Sequence, residues 1–282
     1  MIISGHAKLA GILGWPVSHS ASPCLHGFWL DAYGVDGAFV PLPVHPDDLE
    51  LVVRALPRMG FCGVNVTIPH KEAVLNLCDS LSETARAAGS VNTLTFSTDG
   101  SIYGDTTDGD GFMRNVQDQA GPVDSKGPVL VLGAGGAARS IVLALIRAGF
   151  QDVLIANRTP EKAEAIARDL GAGITVVEWD NHKRFFPSLS LLVNTTSLGM
   201  TGCPPLSLSL DTLSKQAVVC DIVYKPLETT FLATARRRGN RVVDGLGMLL
   251  HQACPGFRSW FGVMPTVDNV LRDHVIKSLN LV

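Results

Sequence analysis

A chain of 282 residues suits one large domain or two ordinary ones, and 46% hydrophobic against 17% charged residues supplies a substantial core and argues against disorder. A net charge of −3 with no basic block argues against nucleic acid or an anionic membrane as partner. The six cysteines are scattered without a Cys-x-x-Cys pair, and the chain shows neither a basic-then-apolar leader nor an apolar run near the roughly 18 residues of a membrane span. The expectation is a soluble cytoplasmic protein with free thiols.

Strand-like and helix-like runs alternate along the chain. Lys8–Leu13 reads as a strand, Pro23–Tyr33 as an amphipathic helix, 38–42 as a strand and 47–58 as a helix. Between them, Gly14-Trp-Pro-Val-Ser-His-Ser20-Ala-Ser22-Pro23 opens a helix, with Ser22 as its cap and proline in the first turn. Ser20 is not needed for that cap, and two hydroxyls beside a helix N-terminus suit a carboxylate. Residues 61–66 form a strand that Pro69 interrupts, which predicts Lys71 in the first turn of the next helix. A helix N-terminus disfavours a cation, so this lysine is expected to have a lowered pKa suited to proton transfer.

Helical stretches then run to Ala88, with Ser82 and Glu83 reading as an ordinary helix start. Gly89-Ser-Val-Asn92-Thr93 leads into a strand, and 91–96 and 102–106 pair around Thr98-Asp99-Gly100. Gly104-Asp-Thr-Thr-Asp108-Gly-Asp-Gly leads from a strand into a helix over 110–119. Asp108 suits either a helix cap or a carboxylate partner for Lys71. His19, His26 and His70 lack metal-ligand spacing, so no metal site is expected.

The Pro/Gly-rich segment 121–128 is the clearest break. After it come strands at 129–132, 153–156, 174–177, 191–194, 217–223 and 241–243, helices at 136–148 and 160–170, and a mainly helical end from Met248. This alternation predicts a mostly parallel sheet with helices on both faces. Gly133 permits the tight turn after the first of these strands, Gly135 admits a pyrophosphate, and Ala138 allows close helix–strand packing. Where an NAD site places an acid after the second strand, this chain has Asn157-Arg158-Thr159, with Lys162 one turn on. A carboxylate would repel a 2′-phosphate and Arg158 would grip it, so NADP(H) is the expected cofactor. Asn194-Thr-Thr-Ser-Leu-Gly-Met ends a further strand with small polar residues.

These motifs, with D-I-V-Y-K-P at 221–226 and D-G-L-G-M-L-L-H-Q-A at 244–253, follow one another in the order seen in shikimate dehydrogenases, which the chain resembles along essentially its whole length. The resemblance implies a two-domain α/β protein: a substrate domain (1–107 plus 246–282), a Rossmann-like NADP domain (108–245) and an active-site cleft between them. It implies reversible oxidation of shikimate to 3-dehydroshikimate, on the route to aromatic amino acids, by a monomer or homodimer. By motif match, Lys71 and Asp108 would be the catalytic pair. Ser20, Ser22, Thr67, Asn92, Tyr224 and Gln252 would contact substrate. Gly133, Ala134, Gly135, Gly136, Ala137, Asn157, Arg158, Thr159, Lys162, Ile222, Gly245 and, from the first half, Glu83 would lie along the cofactor. A paralogue acting on quinate or an amino-substituted analogue, and a non-catalytic ligand sensor, are the alternatives. The chain departs from the family at Thr106 and Trp15, where Asn is usual.

Overall fold

The computed structural model describes residues 3–171 and 173–280; the ends of the expected 1–107 and 246–282 segments at Met1, Ile2, Leu281 and Val282 lie outside the described residues. Two compact units emerge. One runs up to Thr107 and resumes at Gln252–Asn280; the other is Asp108–His251.

The first unit contains β1 (Lys8–Gly14), α1 (Ser22–Ala32), β2 (Gly37–Pro43), α2 (Leu49–Ala55), β3 (Phe61–Val66), β4 (Ser80–Leu81), α3 (Glu83–Ala88), β5 (Thr93–Phe96) and β6 (Ile102–Asp105). Its six-stranded sheet has the order β2-β1-β3-β5-β6-β4. β1 is parallel to β2 and β3, while β5 runs antiparallel to β3 and β6. Leu13, Val53, Val64, Val74, Val91 and Leu94 are fully enclosed on one face of it. The expected helix over 47–58 is divided: 3₁₀ turns at Pro46–Asp48 and Leu56–Met59 flank α2. Pro57 cannot donate the i→i−4 bond that an α-helix needs there.

The second unit contains α4 (Asp108–Ala120), β7 (Val129–Leu132), α5 (Gly136–Arg147), β8 (Val153–Ala156), α6 (Pro160–Leu170), β9 (Ile174–Val177), β10 (Leu191–Asn194), β11 (Val218–Asp221), α7 (Thr230–Arg237) and β12 (Arg241–Val243). Its strands pair in the order β12-β11-β10-β7-β8-β9, all parallel. Counted from β7, that is 6-5-4-1-2-3, the order of doubly wound dinucleotide-binding sheets. Short continuous apolar runs build these strands, because helices cover both faces: Val129–Leu132, Val153–Ala156 and Leu191–Asn194 are buried throughout. α8 (Leu246–Phe261) passes from the second unit back into the first, and α9 (Asn269–Leu279) follows it.

Among the described residues, no helix is long and apolar enough to cross a membrane, and no three His, Cys, Asp or Glu side chains are grouped to hold a metal ion. All six cysteines are free.

Candidate functional site

In the first unit, four chain segments meet at one end of the sheet. The C-terminal ends of the parallel strands β1 and β3 lie side by side, Leu13 opposite Val66. Because β5 is antiparallel to β3, its start falls at the same end, Asn65 opposite Thr93; β6 also finishes there, Thr93 opposite Asp105. The loop carrying Ser20 and Ser22, the turn carrying Thr67 and Lys71, Asn92, and Thr106–Thr107 therefore emerge together. The Thr67 N–H donates to Leu13 O (2.9 Å), Trp15 N–H to Ile68 O (3.0 Å) and Val66 N–H to Asn92 O (2.7 Å). A β-carbon on Gly14 would lie 2.5 Å from Thr67 Cγ2, so the first two loops touch only because this residue has no side chain.

Asn92 is the hub. Its Nδ2 donates to Thr107 Oγ1 (2.9 Å) and to Gln252 Oε1 (3.1 Å), while its Oδ1 accepts from Thr107 N–H (3.0 Å) and Thr93 Oγ1 (2.9 Å). Thr107 Oγ1 donates in turn to Gln252 O (2.7 Å), and Asn65 Nδ2 reaches Asn92 O (3.2 Å) and Thr93 Oγ1 (3.3 Å). Asn92 and Gln252, 160 positions apart, are both buried. Both donors and both lone pairs of the Asn92 amide are engaged within the protein, so a ligand contact there must share one of them. Thr107 is the residue that motif reading passed over. The signal was available: a hydroxyl between a strand end and Asp108, in a doublet whose first member already attracted notice.

Lys71 is not in the first turn of an α-helix. Ile68–Pro69 is a cis peptide, Lys71 lies in the turn beyond it, and a five-residue 3₁₀ turn begins only at Ala73. Its carbonyl accepts from Val91 N–H at 2.8 Å, which ties it to the segment leading into β5. The helix-dipole argument for this lysine therefore falls, because no α-helical N-terminus stands behind it.

The cap of α1 is also corrected. The helix begins at Ser22 itself, no side chain caps it in the usual way, and Ser20 Oγ accepts the Ser22 N–H (3.2 Å). Ser20, the hydroxyl that the expected cap did not need, is the one holding the turn. Glu83 opens α3, whose cap is Ser82: its Oγ accepts from Ala85 N–H (2.9 Å) and donates to Asp105 (2.5 Å). Trp15 is 45% exposed, with its ring edge-on to His45, and Thr106 is buried. Of the three histidines considered for metal, His19 is exposed. His70 Nε2 donates to Val44 O (2.8 Å). His26 is enclosed and stacked on Phe39 at 3.9 Å, and its burial pushes the pKa down to about 3, so the ring is neutral.

In the second unit, the site is built by backbone at the C-terminal ends of parallel strands. β7 and β10 are neighbours, and the connections leave them toward opposite sides of the sheet; such a reversal is where dinucleotides bind. Gly133 follows β7 with φ +112°, and a β-carbon there would lie 2.5 Å from Thr195 Oγ1, in the loop after β10. Gly135 differs: nothing lies within 4 Å of its β-carbon position, and no side chain caps α5, which starts at Gly136. The first turn of α5 thus presents backbone N–H groups beside open space, the arrangement that receives a phosphate. Ala134 and Ala138 are buried, and Ala137 is half-buried. Arg139 pairs with Asp169 of α6.

After β8, Asn157 Nδ2 donates to Thr159 O (2.8 Å), forming the turn into α6. Thr159 occupies the cap position without a side-chain cap bond, and Arg158, Thr159 and Lys162 are exposed. Asn157, Arg158 and Thr159 stand at this strand end, where an NAD site places an acid. Farther along, a β-carbon on Gly245 would fall 2.3 Å from Ile222 O, which brings those two predicted residues into direct backbone contact. Tyr224 is half-buried two residues beyond Ile222. Asp108 opens α4 and is buried, and the following Gly109 has room only for hydrogen, since a β-carbon would meet Ser140 O at 2.4 Å.

The strand order and glycine turn define a two-unit α/β protein of the dinucleotide-binding class. Family models match it in three stretches: the shikimate dehydrogenase substrate binding domain over residues 12–94, shikimate / quinate 5-dehydrogenase over 116–199, and the shikimate 5′-dehydrogenase C-terminal domain over 245–272. The shikimate dehydrogenase (NADP(+)) of Paramagnetospirillum magneticum is 55% identical over 276 residues, covering 97% of this chain and 100% of its own. The Thermus thermophilus enzyme, solved with NADP(H) and shikimate, superposes with a TM-score of 0.84 at 35% identity, covering 96% of this chain and 99% of its own. Quinate dehydrogenase from Corynebacterium glutamicum, solved with NAD, reaches 0.88 at 30% identity over 96% and 99%. The chain belongs to the shikimate dehydrogenase family.

Proposed function

We propose that this chain is an NADP-dependent oxidoreductase that interconverts shikimate and 3-dehydroshikimate. The observation that carries this reading is the end-to-end match to a relative of that name at 55% identity. The cofactor preference has independent support in Arg158, which replaces the acid of NAD sites and leaves the strand end open to a 2′-phosphate.

The residues present fit the dinucleotide. The turn Gly133–Ala137 and the first N–H groups of α5 would hold the pyrophosphate, Asn157–Thr159 and Lys162 the 2′-phosphate end, and Ile222 and Gly245 the rest of its length. When bound, the nicotinamide supplies the hydride exchange with C3 of the substrate. The protein supplies proton transfer and orientation. In oxidation, neutral Lys71 takes the proton of the C3 hydroxyl at Nζ as the carbonyl forms; in reduction, the ammonium returns it to the forming alkoxide. Asp108, the other member of the proposed catalytic pair, orients the hydroxyl. Ser20 and Ser22 receive the substrate carboxylate, and Thr67, Asn92, Tyr224 and Gln252 its other oxygens. Glu83 is assigned to the cofactor side.

A steady-state assay following NADPH formation tests the reading. Turnover with shikimate and NADP well above that with quinate or with NAD is expected. Preference for quinate would move the chain to the paralogous activity. Shikimate binding without any hydride transfer would make it a sensor.

A further inference from the structure

Asp221 ends β11 with its carboxylate buried at 2% exposure, and neither proton transfer nor substrate binding gives it a task. Its Oδ1 accepts from Asn194 Nδ2 and from Val223 N–H, both at 3.0 Å, and its Oδ2 accepts from Thr229 Oγ1 at 2.7 Å. Among the described residues no lysine, arginine or histidine pairs with it. Burial without a counter-cation pushes its carboxyl up to about 6, against the three neutral donors. A buried charge held only by neutral groups is expensive, so something besides packing keeps it there.

Asn194, at the end of neighbouring β10, is equally committed. Its Nδ2 also donates to Leu198 O (3.1 Å), and its Oδ1 accepts from Thr196 N–H (3.1 Å) and Thr196 Oγ1 (2.7 Å). Thr195 Oγ1 then donates to Leu132 O (2.8 Å) and rests against Gly133. On the other side, Thr229 Oγ1 accepts Leu232 N–H (3.3 Å) and so caps α7. One buried pair therefore fixes the 194–200 loop against the glycine turn, and fixes the 222–229 loop, which carries Ile222 and Tyr224, beside it.

We propose that Asn194 and Asp221 form a positioning pair that sets the two loops bordering the dinucleotide site. This rests on the reading of that site as the NADP site. The pair works by hydrogen-bond geometry and not by charge on the ligand. Asparagine at 221 keeps an acceptor for Asn194 and Val223 and offers an amide to the Thr229 hydroxyl, which can turn to accept; valine keeps the volume and none of the bonds.

The test is the Kd for NADPH, read by fluorescence of the full chain, with kcat and KM for NADP. Asp221→Asn is expected to bind within about threefold of wild type. Asp221→Val is expected to bind about 10–100-fold more weakly, the range set by unpairing buried polar groups, with the loss in KM and not in kcat at saturation. Should Asp221→Val fail to fold, Thr229→Val carries the comparison: weaker NADPH binding, restored by Thr229→Ser. Valine variants that bind NADPH like wild type, or asparagine and valine at 221 equally impaired, would overturn the proposal alone. A wild-type chain that binds no NADPH would overturn the functional reading and the pair's role with it.

Discussion

The polar centre of the first unit is assembled from side chains: Asn65, Asn92, Thr93, Thr107 and Gln252 come from four places in the chain and satisfy one another below the surface. The centre of the second is assembled from backbone: a glycine turn, the uncapped start of α5 and the strand ends around β7 and β10. On the proposed reading, the first arrangement distinguishes ligands by the directions of individual hydroxyl and amide groups. On the same reading, the second holds a phosphate at the helix start and leaves the choice of dinucleotide to the loop after β8. Specificity for substrate and for cofactor would then rest on different kinds of contact, which respond differently to substitution.

Lys71→Ala should produce the largest effect. It removes the proposed proton carrier, so kcat should fall by about 10²–10⁴-fold while the Kd for shikimate changes little. Near-normal turnover would sink the assignment. Arg158→Ser should act on the other unit and in the other parameter: KM for NADP should rise about 10–100-fold, as for loss of hydrogen bonds to a charged group, with little change toward NAD. Equal losses with both dinucleotides would contradict the role given to this arginine.

Thr107→Val keeps the volume but leaves Gln252 O and Asn92 Nδ2 each short of a partner. A loss of about 1–3 kcal/mol of stability should appear in denaturant unfolding. No change in midpoint would mean the network is not sharing its bonds as drawn.

The smallest effect concerns Asp221. Its folded-state pKa, about 6, lies above the ordinary 3.8, so between those values the native state holds more proton than the unfolded one. Stability from this group therefore rises as pH falls through 6 and is lost as pH climbs above it. Between pH 7.5 and 5 the wild type should gain on the order of 1 kcal/mol relative to Asp221→Asn. Parallel pH profiles for the two would refute it.

Much of the second unit was legible residue by residue. The strands 129–132, 153–156, 174–177, 191–194 and 241–243 and the helix 160–170 have the expected bounds. Their apolar runs are short, continuous and punctuated by glycine, proline or polar residues. α7 and the 3₁₀ segment Trp179–Ser188 went unpredicted. Both are amphipathic but carry few apolar residues, and the core holds them, as when Phe231 and Phe186 pack with Leu130 and Leu132 of β7 and Val219 of β11. In the first unit, the strand before Lys71 was read correctly and the helix after it was not. Proline suits a helix start and an extended turn alike, and bonds to residues outside the segment, such as that from Val91 N–H to the Lys71 carbonyl, accompany the turn.

By itself the sequence determined the α/β alternation, the glycine turn, the absence of an acid at Asn157-Arg158-Thr159 and the family, because each is written in consecutive residues whose local chemistry suffices. Tertiary structure alone decided that Ser20 rather than Ser22 holds the α1 turn, that Asn92 meets Gln252 both directly and through Thr107, and that Asp221 is buried against Asn194. Those outcomes depend on which strand ends become neighbours. That is set by burial summed over whole sheets, and no short stretch of chain carries it.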